Sequence, residues 1–310
     1  MESAFHHIPV LFEEVMAYLS PRDGGAYADG TLGGGGHSEG ILLRAPHAVL
    51  YGIDRDGQAI AAASARLARF QGFHAVHGNF HDVKALLDGA PPLDGALLDL
   101  GVSSHQLDTP ERGFSYHDDA PLDMRMDPSQ GQTAAQYLAG VSQEELRSVL
   151  WEYGEEKWAA RIAQIVVERR AQKPLLTTAD LVAAVDAAIP KAVRLKDDGH
   201  SARRTFQAVR IAVNDELRPL KQALLDFVDL LAPGGRLLVI TFHSLEDRVV
   251  KNTFRQMQNP CTCPPKAPVC VCGKKPLGRV LAGGAVKPSE QEVQSNPRAR
   301  SAKLRVFEKR

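Results

Sequence analysis

The run Asp29-Gly30-Thr31-Leu32-Gly33-Gly34-Gly35-Gly36-His37 holds the residue types of a turn that grips a ligand through its backbone. Glycine adds no side chain to a core and costs backbone entropy, so four in succession mark a turn that must be tight and closely approached. Ala26-Tyr27-Ala28 leads into it as the end of a buried strand, and His37-Ser38-Glu39 with Ile41-Leu42-Leu43 opens a helix behind it. A helix N-terminus presents N–H groups to such a ligand. An apolar run ending on an acid directly before the glycines argues against a merely flexible surface turn. A second apolar run, Ala48 to Ile53, ends on Asp54, where a carboxylate can hold the two hydroxyls of a ribose. The dinucleotide fingerprint G-x-G-x-x-G fits no register of this loop: Ser38 follows Gly33 and Gly35, and Glu39 follows Gly34 and Gly36.

What stands there instead is D-x-T-x-G-x-G, with an acid at the tip of the next strand. That pair resembles motifs I and II of class I S-adenosylmethionine-dependent methyltransferases. The elements around it must place both acids at one edge. Gln58 to Leu67 is alanine-rich and helical. His74 to His77 is a short strand ending in Gly78-Asn79-Phe80, and a helix spans about Asp82 to Leu87. Pro91-Pro92 breaks it, and Ala96 to Gly101 is the fourth strand. Alternating strands and helices with near-continuous apolar strands predict an α/β fold with a parallel sheet covered on both faces. Ligands of such sheets lie at the carboxyl ends of the strands, where Asp29, Asp54, Phe80 and Asp99 all fall.

From Val102 the alternation stops. Residues 103–202 read as an inserted all-helical domain, and 1–102 with 203–310 as the sheet domain. Ser142-Gln143-Glu144-Glu145 has the pattern of a capping box. Trp158, Ile162, Ile165 and Val166 recur at helical spacing, and Thr178 is placed to cap a helix that Pro190 stops. Arg203 starts a long helix through Phe206, Val209, Ile211, Val213 and Leu217, kinked at Pro219. Arg236 to Phe242 is the fifth strand, and Ser244 caps a helix to about Met257. Residues 259–300 read as Pro-, Gly- and Lys-rich loop, and Ala302 to Phe307 as a last, antiparallel strand.

The chain has 310 residues, 44% of them hydrophobic, and a mean hydropathy of −0.21, which describes a soluble globular protein with a real core. No signal peptide and no membrane-length apolar stretch appears, so a cytoplasmic location is expected. Net charge is zero but unevenly spread: residues 248–310 hold 14 Lys/Arg against 3 Asp/Glu, and the rest hold 23 against 34. A basic tail on an acidic body points to a polyanion partner, with a merely solvated tail as the alternative.

Nine stretches carry a closer resemblance: His7 to Leu11, Asp29 to Ser38, Asp54-Arg55-Asp56, Leu98 to Ser104, Glu111 to Ser115, Pro121 to Asp127, Arg204 to Ile211, Phe242 to Arg248, and Asn296 to Ser301. In this order they resemble the bacterial ribosomal RNA small-subunit methyltransferase H (MraW) family over nearly the whole chain. The resemblance implies a Rossmann-like sheet with an inserted helical domain, and S-adenosylmethionine as cofactor. It implies methylation of the exocyclic N4 of a cytidine in the decoding centre of 16S rRNA, within the small ribosomal subunit. By the same resemblance Gly35, Gly36 and His37 line the glycine loop, Asp54 takes the ribose and Phe80 faces the adenine. Asp99 and Gln106 complete the pocket, although His37 and Gln106 could equally cap a helix and a loop. A homodimer is left open.

A cytosine amine is a poor nucleophile, because its lone pair is delocalised into the ring. An in-line geometry and a hydrogen-bond acceptor beside the methyl are therefore required. N4-cytosine DNA enzymes use a Ser/Asp-Pro-Pro-Tyr-type turn after strand four, and this chain has Asp99-Leu100-Gly101-Val102 there instead. Asp99 is the candidate acceptor by position and His243 the second; both could instead be structural. Cys261, Cys263, Cys270 and Cys272 read as a local staple of the basic loop, outside the chemistry. Disulfides are not expected in that compartment, and C-x-C is a less usual zinc spacing than C-x₂-C, so a metal stays open. A dehydrogenase is disfavoured by the missing fingerprint. A non-enzymatic RNA-binding factor is disfavoured by the intact Asp29, Asp54 and Asp99 set.

Overall fold

Asp29, Asp54 and Asp99 each end a strand of one seven-stranded sheet in the computed structural model, which describes residues 9–196, 199–264, 269 and 271–310. The strands are β1 (Ala26–Asp29), β2 (Val49–Asp54), β3 (Phe73–His77), β4 (Leu93–Asp99), β5 (Leu231–Thr241), β6 (Gly278–Val286) and β7 (Lys303–Lys309). Their order is β3-β2-β1-β4-β5-β7-β6, parallel through the first five and antiparallel at β7 and β6. This is the expected α/β, Rossmann-like sheet. The chain leaves β1 for β2 on one side and later returns to β4 on the other. The sheet therefore has its topological switch point between β1 and β4, the usual place for a ligand.

Neighbouring residues along a strand face opposite cores, which is why the strands read as continuous apolar runs. Leu97, Leu238 and Ile240 bury one face with Leu11, Val15, Leu19, Ile41 and Leu42. On the other face Leu98, Leu237 and Val239 pack with Leu224, Phe227, Phe254 and Phe307. Three helices matter for the site: α1 (Phe12–Leu19), α2 (Gly36–Arg44) and α3 (Gly57–Leu67). Sequence patterning missed α1, which buries Val15, Met16 and Leu19.

Gly30 is where this packing tolerates no side chain. A Cβ there would lie 2.5 Å from Leu98 Cδ2 and 2.9 Å from Phe227 Cζ. Gly30→Ala is therefore expected to destabilise the protein by about 1–3 kcal/mol, the usual range for overpacking. The denaturant midpoint measures it, and an unchanged midpoint would show that the turn relaxes freely.

The chain divides into two units, residues 1–101 with 217–310, and residues 102–216. The second is helical, with helices Ala134–Gly140, Gln143–Gly154, Ala159–Arg170, Thr178–Ala188 and Arg203–Asn214 around Leu146, Leu150, Ile162, Val166, Leu181 and Val185. Its upper boundary differs from the sequence reading, which assigned residues from 203 onward to the sheet domain. Phe206, Ala208 and Val209 belong to the helical core, because the stripe of Arg203–Asn214 packs there. That helix stops at Asp215 in the left-handed conformation, and Pro219 precedes a separate helix, Leu220–Leu230, where a kink was expected. Ser142 caps as expected, while Thr177 caps the next helix and Thr178 is buried inside it. No helix among the described residues is long and apolar enough to cross a membrane.

Candidate cofactor and catalytic site

The turn after β1 is held by the acids at the strand tips. Asp29 is 1% exposed; its Oδ2 accepts from the Ser38 hydroxyl at 2.8 Å and its Oδ1 from Thr31 N–H at 3.2 Å. It thus ties the end of β1 to the first turn of α2 across the glycines. Burial pushes its carboxyl up to about 6 against these hydrogen bonds. Gly33 and Gly35 have φ of +48° and +75°, the left-handed region that suits glycine. A Cβ on Gly36 would stand 2.6 Å from Pro9 Cγ, whereas one on Gly34 would meet nothing within 4 Å. The turn is therefore closed on the protein side and open above Gly34.

Asp54 has two tasks. Its Oδ2 accepts from Gly33 N–H at 2.8 Å and its Oδ1 from Asp56 N–H at 2.9 Å, so the ribose candidate also braces the glycine turn. Burial raises its carboxyl above the ordinary value, and these two N–H groups oppose the rise. An ionised carboxylate has about four acceptor positions, so each oxygen keeps one for a ligand hydroxyl. Phe80 opens the 3₁₀ turn after β3 and packs edge-on to His81, ring centroids 4.3 Å apart. Its Cβ lies 3.2 Å from where a Gly30 side chain would begin, so Phe80 borders the same turn.

Asp99 ends β4 on the other side of the switch point. Its N–H donates to Thr31 Oγ1, and its Oδ2 is 3.8 Å from Nε2 of His37. His37 is 6% exposed and stacked near Phe12. The Asp99 side chain keeps 27% exposure, but Oδ1 is covered and has no hydrogen-bond partner among the described residues. Burial, and then the negative charges of Asp29 and Glu246, raise this carboxyl to about 8. A shift of that kind at a strand tip marks a group suited to moving a proton near neutral pH.

His243 and Gln106 are held by local partners of their own. His243, and not Ser244, is the N-cap of the helix Ser244–Gln258, its Nδ1 accepting from Glu246 N–H at 3.5 Å. Its Nε2 is 3.0 Å from Glu246 Oε1, and Glu246 Oε2 accepts the N–H groups of Phe242 and His243. Gln106 belongs to the helical unit, where its Oε1 accepts from Ser103 N–H at 3.0 Å and its amide nitrogen donates to the Met126 carbonyl at 3.5 Å. That is the capping role left open for it. The sequence reading gave no role to Ser38, Thr31 or Glu246. The His243-x-x-Glu246 spacing was the visible signal for the last, and Asp29 to Ser38 left none. Cys261, Cys263 and Cys272 come together, while Cys270 lies outside the described residues.

A model of the MraW methylase family matches residues 4–310. Ribosomal RNA small subunit methyltransferase H of Heliobacterium mobile is 53% identical over 310 residues, covering 98% of this chain and 99% of that protein. The protein of the same name from Symbiobacterium thermophilum is 54% identical over 310 residues, covering 99% and 97%. The resemblance first seen in nine short stretches thus extends end to end, and this chain belongs to the MraW methylase family.

Proposed function

We propose that this protein is an S-adenosylmethionine-dependent methyltransferase that modifies the N4 of a cytidine in the decoding centre of 16S rRNA. Methylase family membership and the names of its relatives support the rRNA substrate. The observation that carries the N4 assignment is the Asp99 carboxyl at the tip of β4 beside the glycine turn, its side chain still 27% exposed. An amine nucleophile needs an acceptor there, whereas a carbon nucleophile needs an attacking thiol or a comparable activator.

The residues fit the cofactor. The space over Gly34 admits a ligand backbone-close, Asp54 keeps acceptor positions for ribose hydroxyls, and Phe80 offers an aromatic face for adenine. When bound, S-adenosylmethionine supplies an electrophilic methyl group on a sulfonium. Asp99 accepts a hydrogen bond from the exocyclic amine and takes the proton that the methylated nitrogen must lose. A nearby positive charge draws its raised carboxyl back toward the ionised form, which makes it an acceptor. His37 lies within ion-pair range and orients the second oxygen. His243, held by Glu246, is the second candidate for the proton.

Calorimetry should give binding of S-adenosylmethionine and none of NAD. Methyl transfer to small subunits lacking the modification, followed by nucleoside mass spectrometry, should give N4-methylated cytidine. A methyl on carbon or ribose would remove the N4 reading.

The helical unit serves substrate recognition, and the basic stretch holds rRNA. A cytoplasmic location and action on the small subunit follow from this reading. Lys274 and Lys275 are exposed, but Arg279 is paired with Glu308 through Nε at 2.8 Å and Nη2 at 2.6 Å, so it braces β6 against β7. The informative variant is therefore Lys274→Ser with Lys275→Ser. Its apparent KM for small subunits should rise, with unchanged affinity for S-adenosylmethionine. The salt dependence should flatten by a log–log slope of about 1.4, near 0.7 for each lost phosphate contact. A wild-type KM and slope would return this stretch to a solvated appendage.

A further inference from the structure

We propose that Cys261, Cys263 and Cys272 bind a zinc ion that clamps the loop between the helix Ser244–Gln258 and β6. Their three Sγ atoms lie within 4.8 Å of one another, and Cys261 and Cys272 are 3.8 Å apart. A tetrahedral zinc with Zn–S bonds of about 2.3 Å sets its sulfurs about 3.8 Å apart, nearly twice the length of a disulfide bond. The spacing is that of ligands around an ion. The N–H of Val271 donates to Cys263 Sγ at 3.4 Å, as outer-shell amides do to metal-bound thiolates.

The loop itself needs such a clamp. None of the described residues between 259 and 277 is buried, and Val269 and Val271 are 70% and 86% exposed. A segment without a core gains order from a cross-link or a metal. Its base is already fastened, since Leu277 N–H donates to the Met257 carbonyl at 2.9 Å and Val280 N–H to Gln258 Oε1 at 2.6 Å. The ion fastens the far part. Soft thiolates select zinc over magnesium or calcium. On binding, each ligating thiol releases its proton to solvent and no electron is transferred. The site shares no residue with the glycine turn. It fixes the stretch that leads into Lys274 and Lys275.

The test uses the full chain, purified with reductant and without chelator. Elemental analysis should find about one zinc per chain in the wild type and its loss in Cys263→Ser and Cys272→Ser. Cobalt should give a thiolate-to-metal charge-transfer band that both variants lose. Zinc should also protect Lys274 and Lys275 from trypsin, and stripping the wild type with a chelator should remove that protection until zinc is restored. This last arm decides the matter even where a variant fails to fold. A reduced wild-type protein that takes up no zinc would overturn the proposal. So would equal zinc in wild type and variants, or a Cys261–Cys272 disulfide as the state isolated under reductant.

Discussion

Asp99→Asn should lower the single-turnover rate of methyl transfer by about 10²–10⁴-fold, the usual contribution of a positioned acid or base. The affinity for S-adenosylmethionine should change far less. The amide keeps the shape of the carboxyl but cannot take a proton. Wild-type kcat/KM should rise with pH and level off above about 8, where the free enzyme's Asp99 is ionised. The variant's residual activity should lack that rise. If only cofactor affinity falls, Asp99 is a pocket residue and the proton goes elsewhere, with His243 next.

The same substitution should act oppositely on stability. The folded Asp99 carboxyl titrates near 8, far above its ordinary value of 3.8. Between those values the native state holds a proton that the unfolded chain has shed. Stability therefore declines as pH rises from about 4 to 8 and then levels off. Asn removes this penalty, so the variant should gain on the wild type as pH rises, by an amount on the order of a few kcal/mol at pH 9. Asp29, raised to about 6, adds a slope of the same sign to both proteins. Thermal melts at pH 5 and pH 9 measure the difference, and equal shifts at both would contradict a raised Asp99.

Asp54→Ala should have the second largest effect. It removes the acceptor for the ribose hydroxyls, worth about 1.5–3 kcal/mol for a charged hydrogen bond, or roughly 10- to 150-fold in affinity. It also frees the N–H of Gly33, so the glycine turn loses its brace. Asp54→Asn separates the two: its carbonyl oxygen can still accept one N–H, while the charge is gone. Calorimetry should rank affinity as wild type, Asn, Ala. A dissociation constant unchanged in the Ala variant would remove Asp54 from the site.

What the sequence made legible were the local parts of this site. Asp29, Asp54 and Asp99 each end an apolar run, and the glycines between β1 and α2 require no distant information. The raised carboxyl of Asp99 was not legible, because it depends first on burial and then on the charges of Asp29 and Glu246, all of which only the folded chain brings about. Helix caps slipped by one residue at Thr177 and His243, where two adjacent side chains are both able to cap. The helix Arg203–Asn214 showed its apolar stripe plainly, but a stripe does not say which core it joins. β6 was read as loop because Gly283 and Gly284 break its alternation. Ala282 has a φ of +58°, and the register shifts between Leu281 and Val286.

The strand order dictates when the protein can finish folding during its synthesis. Residues 102–216 form a contiguous unit able to collapse as soon as they emerge, whereas β4 must wait for β5 across that whole segment. β7 lies between β5 and β6, so until residues 303–309 are made β5 presents an unpaired apolar edge and β6 has no partner. Chains halted just short of β7 should therefore be the aggregating and degraded species, and chaperone demand should peak there.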